Sequence, residues 1–185
     1  MGTPVGGHEF WSAKLYCMAI ADVMRALRTM KDEGSLSEFM LYGSVAAMVH
    51  TRPFFTNDVD IAVVVNSDEE FANVFNRLAD FGQVEGHAIK IGGTLAEIFP
   101  ADISPVIQDA IEAALSRKVE GFYVKVAGPE HLVLEALRVG RPQDQARVLM
   151  LDNALDYDVL RAALLRLDED GTLERNFREI TGKTP

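Results

Sequence analysis

The sequence predicts an α/β or α+β fold in which a mixed β-sheet is flanked by helices and followed by a C-terminal helical cap. Up to about residue 127, short apolar runs typical of strands alternate with segments of helical periodicity, whereas only helical segments follow Gly128. The run Val59–Val65 is apolar throughout, which is typical of a strand buried on both faces. We therefore expect an N-terminal helix within residues 1–38, a core over residues 39–127 and a helical region over residues 128–185.

The first half of the chain is expected to contain three helices and two strands. Ser67, with Glu70 three residues later, predicts a capping box at the start of the third helix. Pro53 prevents the second helix from continuing through the loop after it. The expected elements are, in order, a helix at Glu9–Lys31, a strand at Phe39–Tyr42, a helix at Val45–His50, a loop over residues 51–57, the strand Val59–Val65 and a helix that ends near Gly82.

The second half begins with a predicted β-hairpin within Gln83–Ala101, because Gly92-Gly93 separates two strand-like runs. Ser104-Pro105 predicts the next helix start, where proline is tolerated. The core face of that helix is expected to comprise Val106, Ile107, Ala110, Ile111, Ala114 and Leu115. The remaining elements are one or two strands over Lys118–Val126 and helices from Gly128 to about Val139 and over Arg141–Asn153, Asp156–Leu167 and Gly171–Ile180.

Composition and charge narrow the class of partner. Of the 185 residues, 48% are hydrophobic and 25% are charged, which suits a globular protein with a substantial core. The net charge of −10 disfavours a long DNA or RNA substrate, because such binding depends largely on neutralising phosphates. The single Cys17 excludes an intrachain disulfide framework. Since neither a signal-peptide pattern nor a membrane-length apolar run is present, we expect a cytoplasmic protein without a membrane partner.

Two aspartates at the start of the apolar strand are the first candidate site residues. In a strand, Asp58 and Asp60 point to the same side, while Val59 and Ile61 point to the other. Two adjacent carboxylates repel each other unless a cation lies between them. Oxygen-only ligands suit Mg²⁺ or Mn²⁺, so the pair indicates a divalent-metal site. The alternative is a solvated strand start.

Gly43-Ser44 supplies a possible complement to the metal pair. The two residues lie between a predicted strand and a predicted helix. Glycine allows close approach of a ligand to the backbone, and free N–H groups at a helix N-terminus attract phosphate. A turn with an ordinary helix cap is the alternative interpretation.

The order of these features resembles the nucleotidyltransferase superfamily that includes DNA polymerase beta, whose pattern is h-G-[GS], a helix and then D-h-D. The sequence looks most like the small bacterial AbiEii-like nucleotidyltransferases. Their T-R-x-T-x-D-I-D loop is similar to residues 51–60, although the loop here is two residues longer. Their G-R-P-K-D segment is similar to residues 140–144, which read Gly-Arg-Pro-Gln-Asp. The resemblance covers roughly Phe39 to Leu167.

The resemblance implies a third carboxylate, and Glu97 occupies the slot that is more often Asp. Asp102 is a second candidate, although its position suits a cap of the next helix. Arg52 would clamp a phosphate and Thr56 would shape the same loop, while Arg138 would help to bind the triphosphate. Each of these side chains also has a plain alternative, as a surface ion pair, a turn residue or a solvated strand or helix residue.

The sequence also departs from the family pattern in the segment after residue 135. A Lys that often precedes G-R-P is missing, Gln143 replaces the Lys of K-D, and Arg147 stands near a later Asp of the family. Arg141 and Asp144 could therefore form a purely structural pair.

Three hypotheses follow. The leading one is a metal-dependent enzyme in which Asp58, Asp60 and Glu97 bind Mg²⁺ or Mn²⁺ and the phosphates of a nucleoside triphosphate rest on Gly43 and Ser44. The NMP would pass to a hydroxyl of a small molecule, a protein or a tRNA end. AbiEii-like membership would imply a toxin with an antitoxin partner. The second hypothesis is a degenerate module that binds a nucleotide or a protein without catalysis, and the third is an interaction domain that forms a homodimer through its first helix.

Overall fold

In the computed structural model, the described residues are 7–52, 54 and 56–185, and the side chains of residues 7–19 are not described. The helices are α1 Gly7–Asp32, α2 Gly43–His50, α3 Asp68–Ala79, α4 Pro105–Ala113, α5 Pro129–Val139, α6 Pro142–Leu151, α7 Tyr157–Leu167 and α8 Thr172–Thr181. The strands are β1 Glu38–Tyr42, β2 Asp58–Val64, β3 Gln83–Glu85, β4 Ala88–Ile91, β5 Thr94–Pro100, β6 Leu115–Val119 and β7 Phe122–Val126.

The strands form one mixed sheet in the order β3-β4-β5-β2-β1-β7-β6. The central strand β2 runs antiparallel to β1 and parallel to β5, and β1 runs parallel to β7. Helices α5 to α8 follow the last strand, which confirms the predicted mixed sheet with a C-terminal helical region. Parallel pairs require crossover connections, and here α2 to α4 supply helical segments between strands.

A hydrophobic cluster joins the sheet to helices at both ends of the chain. From α1 it includes Val23, Leu27 and Met30, as the helical spacing predicts, and from α8 it includes Leu173 and Phe177. Leu15, Met18 and Ala19, which continue this helical spacing, and Phe10 and Trp11 near the helix start lie among the residues whose side chains are not described. In the part of the chain that the structure describes, no helix is both long and apolar enough to cross a membrane.

The predicted helix starts at Ser67 and Ser104 are confirmed. The Ser67 hydroxyl accepts a hydrogen bond from the backbone N–H of Glu70, whose carboxylate in turn accepts one from the Asn66 N–H. The Ser104 hydroxyl accepts from the Val106 N–H, so Ser104 rather than Asp102 caps α4. These local hydrogen bonds satisfy N–H groups that have no partner inside the helix.

Two local predictions were wrong or incomplete. Leu115 does not lie on the core face of α4, because the helix ends at Ala113 and Ala114 adopts an extended conformation with φ −61° and ψ 136°. Leu115 instead begins β6 and is 59% exposed. The predicted hairpin forms as β4 and β5, but Gln83–Glu85 adds a third antiparallel strand at its outer edge.

A candidate active site between the central strands and the helical region

The two aspartates lie at the start of β2 and share one face of the sheet. Asp60 is opposite Tyr42 at the end of β1 and opposite Glu97 in β5. Residues paired across neighbouring strands point to the same face, so the carboxyl groups of Asp58, Asp60 and Glu97 all lie on this face. Both aspartates are half-buried, while Val59 between them is fully buried on the opposite face.

Asp60 carries the clearest electrostatic signal of the site. Burial, followed by the nearby charge of Asp58 and then that of Glu97, raises the pKa of Asp60 to about 6. The Ser44 N–H and the charge of Arg147 act in the opposite direction. A carboxylate with a raised pKa among other acids marks a place where negative charge is unfavourable and a cation is favoured.

Thr56 orients the first aspartate. Its hydroxyl donates a hydrogen bond to Asp58 Oδ1 at 2.5 Å, and the Thr56 residue is 9% exposed. This contact places Thr56 beside the acidic pair, where the sequence predicts it to shape the loop. It leaves Oδ2 as the Asp58 oxygen not engaged by Thr56.

Gly43 and Ser44 form the first turn of α2 and contact Asp60 directly. Gly43 has a φ of +54°, and a Cβ added there would lie 1.8 Å from Asp60 Oδ2. The Ser44 N–H donates to the same oxygen at 3.4 Å. The two halves of the predicted site are therefore in contact, and only glycine fits between them.

Arg147 is a site residue that the sequence does not assign. It lies on α6, yet its Nη2 donates to the Ser44 Oγ at 3.2 Å across 103 residues of sequence. Its Nη1 lies 3.7 Å from Asp144 Oδ1. The sequence offers two signals for it: its position near a later Asp of the family pattern, and the spacing of three residues between Arg141, Asp144 and Arg147, which places their side chains along one side of a helix.

The segment resembling G-R-P-K-D forms the junction of α5 and α6. Gly140 ends α5 with a φ of +71°, and Pro142 occupies the first position of α6. The buried Asp144 carboxylate accepts from the Arg141 backbone N–H at 3.1 Å and from its Nε at 2.8 Å. Hydrogen bonds from Arg141 hold the pKa of Asp144 below its usual range despite burial. The pair has the structural role that the sequence left open.

The hydrogen bonds of Arg138 that the structure describes go to Glu135 and not to Asp58, Asp60 or Glu97. The Arg138 guanidinium is engaged by Glu135, with Nε and Nη2 donating at 2.8 and 2.6 Å. Glu135 also accepts a hydrogen bond from the Ser104 hydroxyl, and this bond ties α5 to the start of α4. Arg52 is exposed in the loop before β2.

Glu97 adjoins the aspartates, but its carboxylate also has a neighbour of its own. Glu97 Oε1 lies 3.3 Å from Nε2 of the exposed His87. Among the described residues, no three His, Cys, Asp or Glu side chains lie close enough together to hold one ion as they stand. Asp58, Asp60 and Glu97 nevertheless offer carboxylate oxygens, which fit Mg²⁺ or Mn²⁺ in chemical type.

Helix α5 closes the same face of the sheet beyond Asp60. The Tyr42 hydroxyl donates to the His131 carbonyl oxygen at 3.1 Å, and burial raises the pKa of Tyr42 well above its usual value. The His131 ring in turn lies 2.8 Å from Asp109, which also pairs with Arg166. These contacts anchor the helical region beside the acidic face, the face of the sheet that carries Asp58, Asp60 and Glu97.

Comparison with solved structures identifies this architecture. An antigenic nucleotidyltransferase-like protein from Paracoccidioides brasiliensis aligns with a TM-score of 0.52 and 16% identity, over 89% of this chain and 96% of that chain. The chain has a nucleotidyltransferase-like fold. Two structures of the antibiotic-resistance factor ANT(2'')-Ia, one a complex with adenylyl-2''-tobramycin and one in solution, align with TM-scores of 0.47 and 0.47 at 16% and 14% identity. Those alignments cover 90% and 92% of this chain and 97% and 92% of the other chains.

No protein-family model and no curated protein matches the sequence. At the identities found, the structural likeness concerns the fold. The activity therefore has to be argued from the site itself.

Proposed function

We propose that this protein is a metal-dependent nucleotidyltransferase that moves an NMP from a nucleoside triphosphate to an acceptor hydroxyl. The observation that carries the proposal is the direct contact between Asp60 and the Gly43-Ser44 turn, with Asp58 and Glu97 on the same face of the sheet. A carboxylate pair suits a cation, and a glycine-serine turn at a helix start suits a phosphate, so their contact joins the two kinds of group that a nucleotide site requires.

Asp58 and Asp60 are the residues that would hold Mg²⁺ or Mn²⁺, with Glu97 beside them. When bound, such an ion neutralises phosphate charge and lowers the pKa of the attacking hydroxyl. The contact from Thr56 holds Asp58 in place, and the Ser44 N–H holds Asp60. In the proposed reaction the acceptor hydroxyl gives up its proton to solvent and its oxygen bonds to the α-phosphorus. The bond from that phosphorus to the bridging oxygen breaks, and pyrophosphate leaves.

The acceptor is proposed to be a hydroxyl of a small molecule, a protein side chain or a tRNA end. The AbiEii-like resemblance supports a toxin with an antitoxin partner, and it rests on the loop over residues 51–60 and the segment over residues 140–144. The second segment is the weaker support, because the hydrogen bonds between Arg141 and Asp144 at the helix junction already explain the presence of these two residues.

Transfer of a labelled nucleotide to an acceptor tests the proposal. The full-length protein is incubated with each α-labelled triphosphate, Mg²⁺ or Mn²⁺ and total cell extract, and the label is followed into RNA, protein and small molecules. We expect labelling by the wild type and loss of it in Asp58→Asn with Asp60→Asn, because asparagine keeps the size of the side chain but removes its charge. Equal labelling by the double variant would refute the proposal.

A second candidate is a module of the same fold that binds nucleotide without transferring it. It is favoured by the absence, among described residues, of a three-carboxylate group arranged around one ion, and by Arg147 near the place of a family Asp. Triphosphate binding without pyrophosphate release, unchanged in the double aspartate variant, would identify this module.

A further inference from the structure

Arg147 brings a cation from the helical region to the start of α2. Its guanidinium donates to the Ser44 hydroxyl, and its side chain is only 23% exposed. The same Ser44 donates its backbone N–H to Asp60. A hydroxyl that accepts from arginine keeps its own hydrogen as a donor, so the Arg147 guanidinium and the Ser44 hydroxyl offer donors at one place.

Within the cluster of Arg141, Asp144 and Arg147, one carboxylate faces two arginines, and the charge of Arg147 also acts on the nearby Asp60. Asp144 is 1% exposed, and its carboxylate oxygens lie 2.8 Å from Arg141 Nε and 3.7 Å from Arg147 Nη1. One carboxylate is thus shared by two guanidinium groups, and the cluster of Arg141, Asp144 and Arg147 carries a net charge of +1. This positive cluster lies beside an acidic face in a chain whose net charge is −10.

Such a cluster has the chemistry of a phosphate site. Guanidinium groups bind phosphate through parallel charge-assisted hydrogen bonds, and a helix start adds N–H donors of favourable polarity. Arg138, the arginine that the sequence favours for this role, is already engaged by two hydrogen bonds to Glu135. The shorter and better-aligned bonds around Asp144 go to Arg141, which leaves Arg147 as the more available cation.

We propose that Arg147 binds the β- and γ-phosphates of the nucleotide over the Gly43-Ser44 turn, and that Asp144 positions it there. This inference rests on the proposed function, since it assigns a residue to the triphosphate of that reaction. Discrimination between a triphosphate and a monophosphate depends on Arg147.

Binding measurements on the full-length protein test this assignment. ATP, inorganic tripolyphosphate and AMP are titrated, with and without Mg²⁺, into the wild type, Arg147→Gln, Arg147→Lys and Arg161→Gln. Arg161 is the control for loss of an arginine elsewhere in the helical region, because it pairs with Asp158 on α7. Thermal unfolding of each variant shows whether it is folded.

We expect Arg147→Gln to weaken binding of ATP and tripolyphosphate by about tenfold to a hundredfold, since charge-assisted hydrogen bonds of this kind are lost. Binding of AMP should change by less than about threefold, Arg147→Lys should restore part of the loss, and Arg161→Gln should behave as the wild type. Asp144→Asn should show a smaller loss with the same preference for polyphosphate.

Three results would overturn the inference. Unchanged ATP binding in Arg147→Gln would show that Arg147 does not contact the phosphates. Equal weakening of ATP binding and AMP binding would indicate a role in packing alone. If the wild type binds neither ATP nor tripolyphosphate, the inference and the proposed function fail together. Binding that depends on Arg147 without pyrophosphate release would instead support the inference and count only against catalysis.

Discussion

At the scale of single residues, Asp60 links the stability of the protein to its proposed activity. Its carboxyl group is enclosed between Gly43, Ser44 and the two other acids, and burial with these charges raises its pKa to about 6 from an ordinary value of 3.8. Because the folded state holds the proton more tightly than the unfolded state, this group favours folding below about pH 4. That contribution disappears as the pH rises through about 6.

Asp60→Asn should therefore stabilise the metal-free protein near pH 8 by about 1–3 kcal/mol and have little effect near pH 4, since each pKa unit corresponds to about 1.4 kcal/mol. Denaturant unfolding in chelator at pH 4, 6 and 8 measures this difference for the variant against the wild type. A difference in unfolding free energy that is the same at all three pH values would contradict the electrostatic account. The variant should at the same time lose nucleotidyl transfer.

At the scale of elements, the turn from β1 into α2 brings a backbone segment against a charged side chain. Tyr42 at the end of β1 is extended, Gly43 takes a φ of +54°, and Ser44 follows within the first turn of the helix. This close approach depends on a residue without a side chain at one position. The junction between α5 and α6 repeats the use of glycine, with Gly140 at the end of one helix and Pro142 at the start of the next.

Gly43→Ala should disturb this turn through a steric clash as well as through backbone strain. The added Cβ would lie 1.8 Å from Asp60 Oδ2, and a non-glycine residue at positive φ costs about 1–3 kcal/mol. Gly86→Ala is the control, because Gly86 has a similar φ of +65° with nothing within 4 Å of an added Cβ. We expect loss of transfer activity in Gly43→Ala alone, with thermal unfolding measured for both.

If both glycine variants lost the same amount of stability and both kept full activity, close packing of Gly43 on Asp60 would have no part in function. Backbone strain would then account for the whole effect.

At the scale of the whole molecule, apolar side chains from α1, the sheet and α8 form a common cluster. Phe177 of α8 is fully buried and contacts Tyr157 edge-to-face, with ring centroids 6.2 Å apart. The helical region therefore packs as part of the body that carries the acidic face. The predicted division of the chain into three regions, at residues 38/39 and 127/128, is therefore a division by the order of elements and stays a prediction as regards domains.

Phe177→Ala should lower the free energy of unfolding by about 3–5 kcal/mol, the usual cost of truncating a buried phenylalanine. Leu165→Ala is the control, since Leu165 is 85% exposed and should lose little. We expect one cooperative transition in each protein when far-UV and near-UV signals are followed. Two separate transitions would show that the helical region unfolds as an independent domain.

Much of the fold follows from short-range patterns in the sequence. The alternation of strands and helices, the caps at Ser67 and Ser104 and the hairpin at Gly92-Gly93 depend on residues within a few positions of one another. The common orientation of Asp58 and Asp60 follows from the two-residue period of a strand. Element boundaries and the sheet edge follow less well from the sequence. Leu115 and the outer strand Gln83–Glu85 differ from expectation because packing, not periodicity, determines where these elements lie.

In the candidate site, too, some features follow from the local sequence and others only from the tertiary structure. Local spacing along the chain is enough to place the acidic pair and the glycine-serine turn on consecutive elements. Folding alone brings Glu97 beside Asp60 and Arg147 onto Ser44, the latter across 103 residues. Strand order and helix packing set these long-range contacts. Both result from the simultaneous packing of many apolar faces, which cannot be read from any single stretch of the sequence.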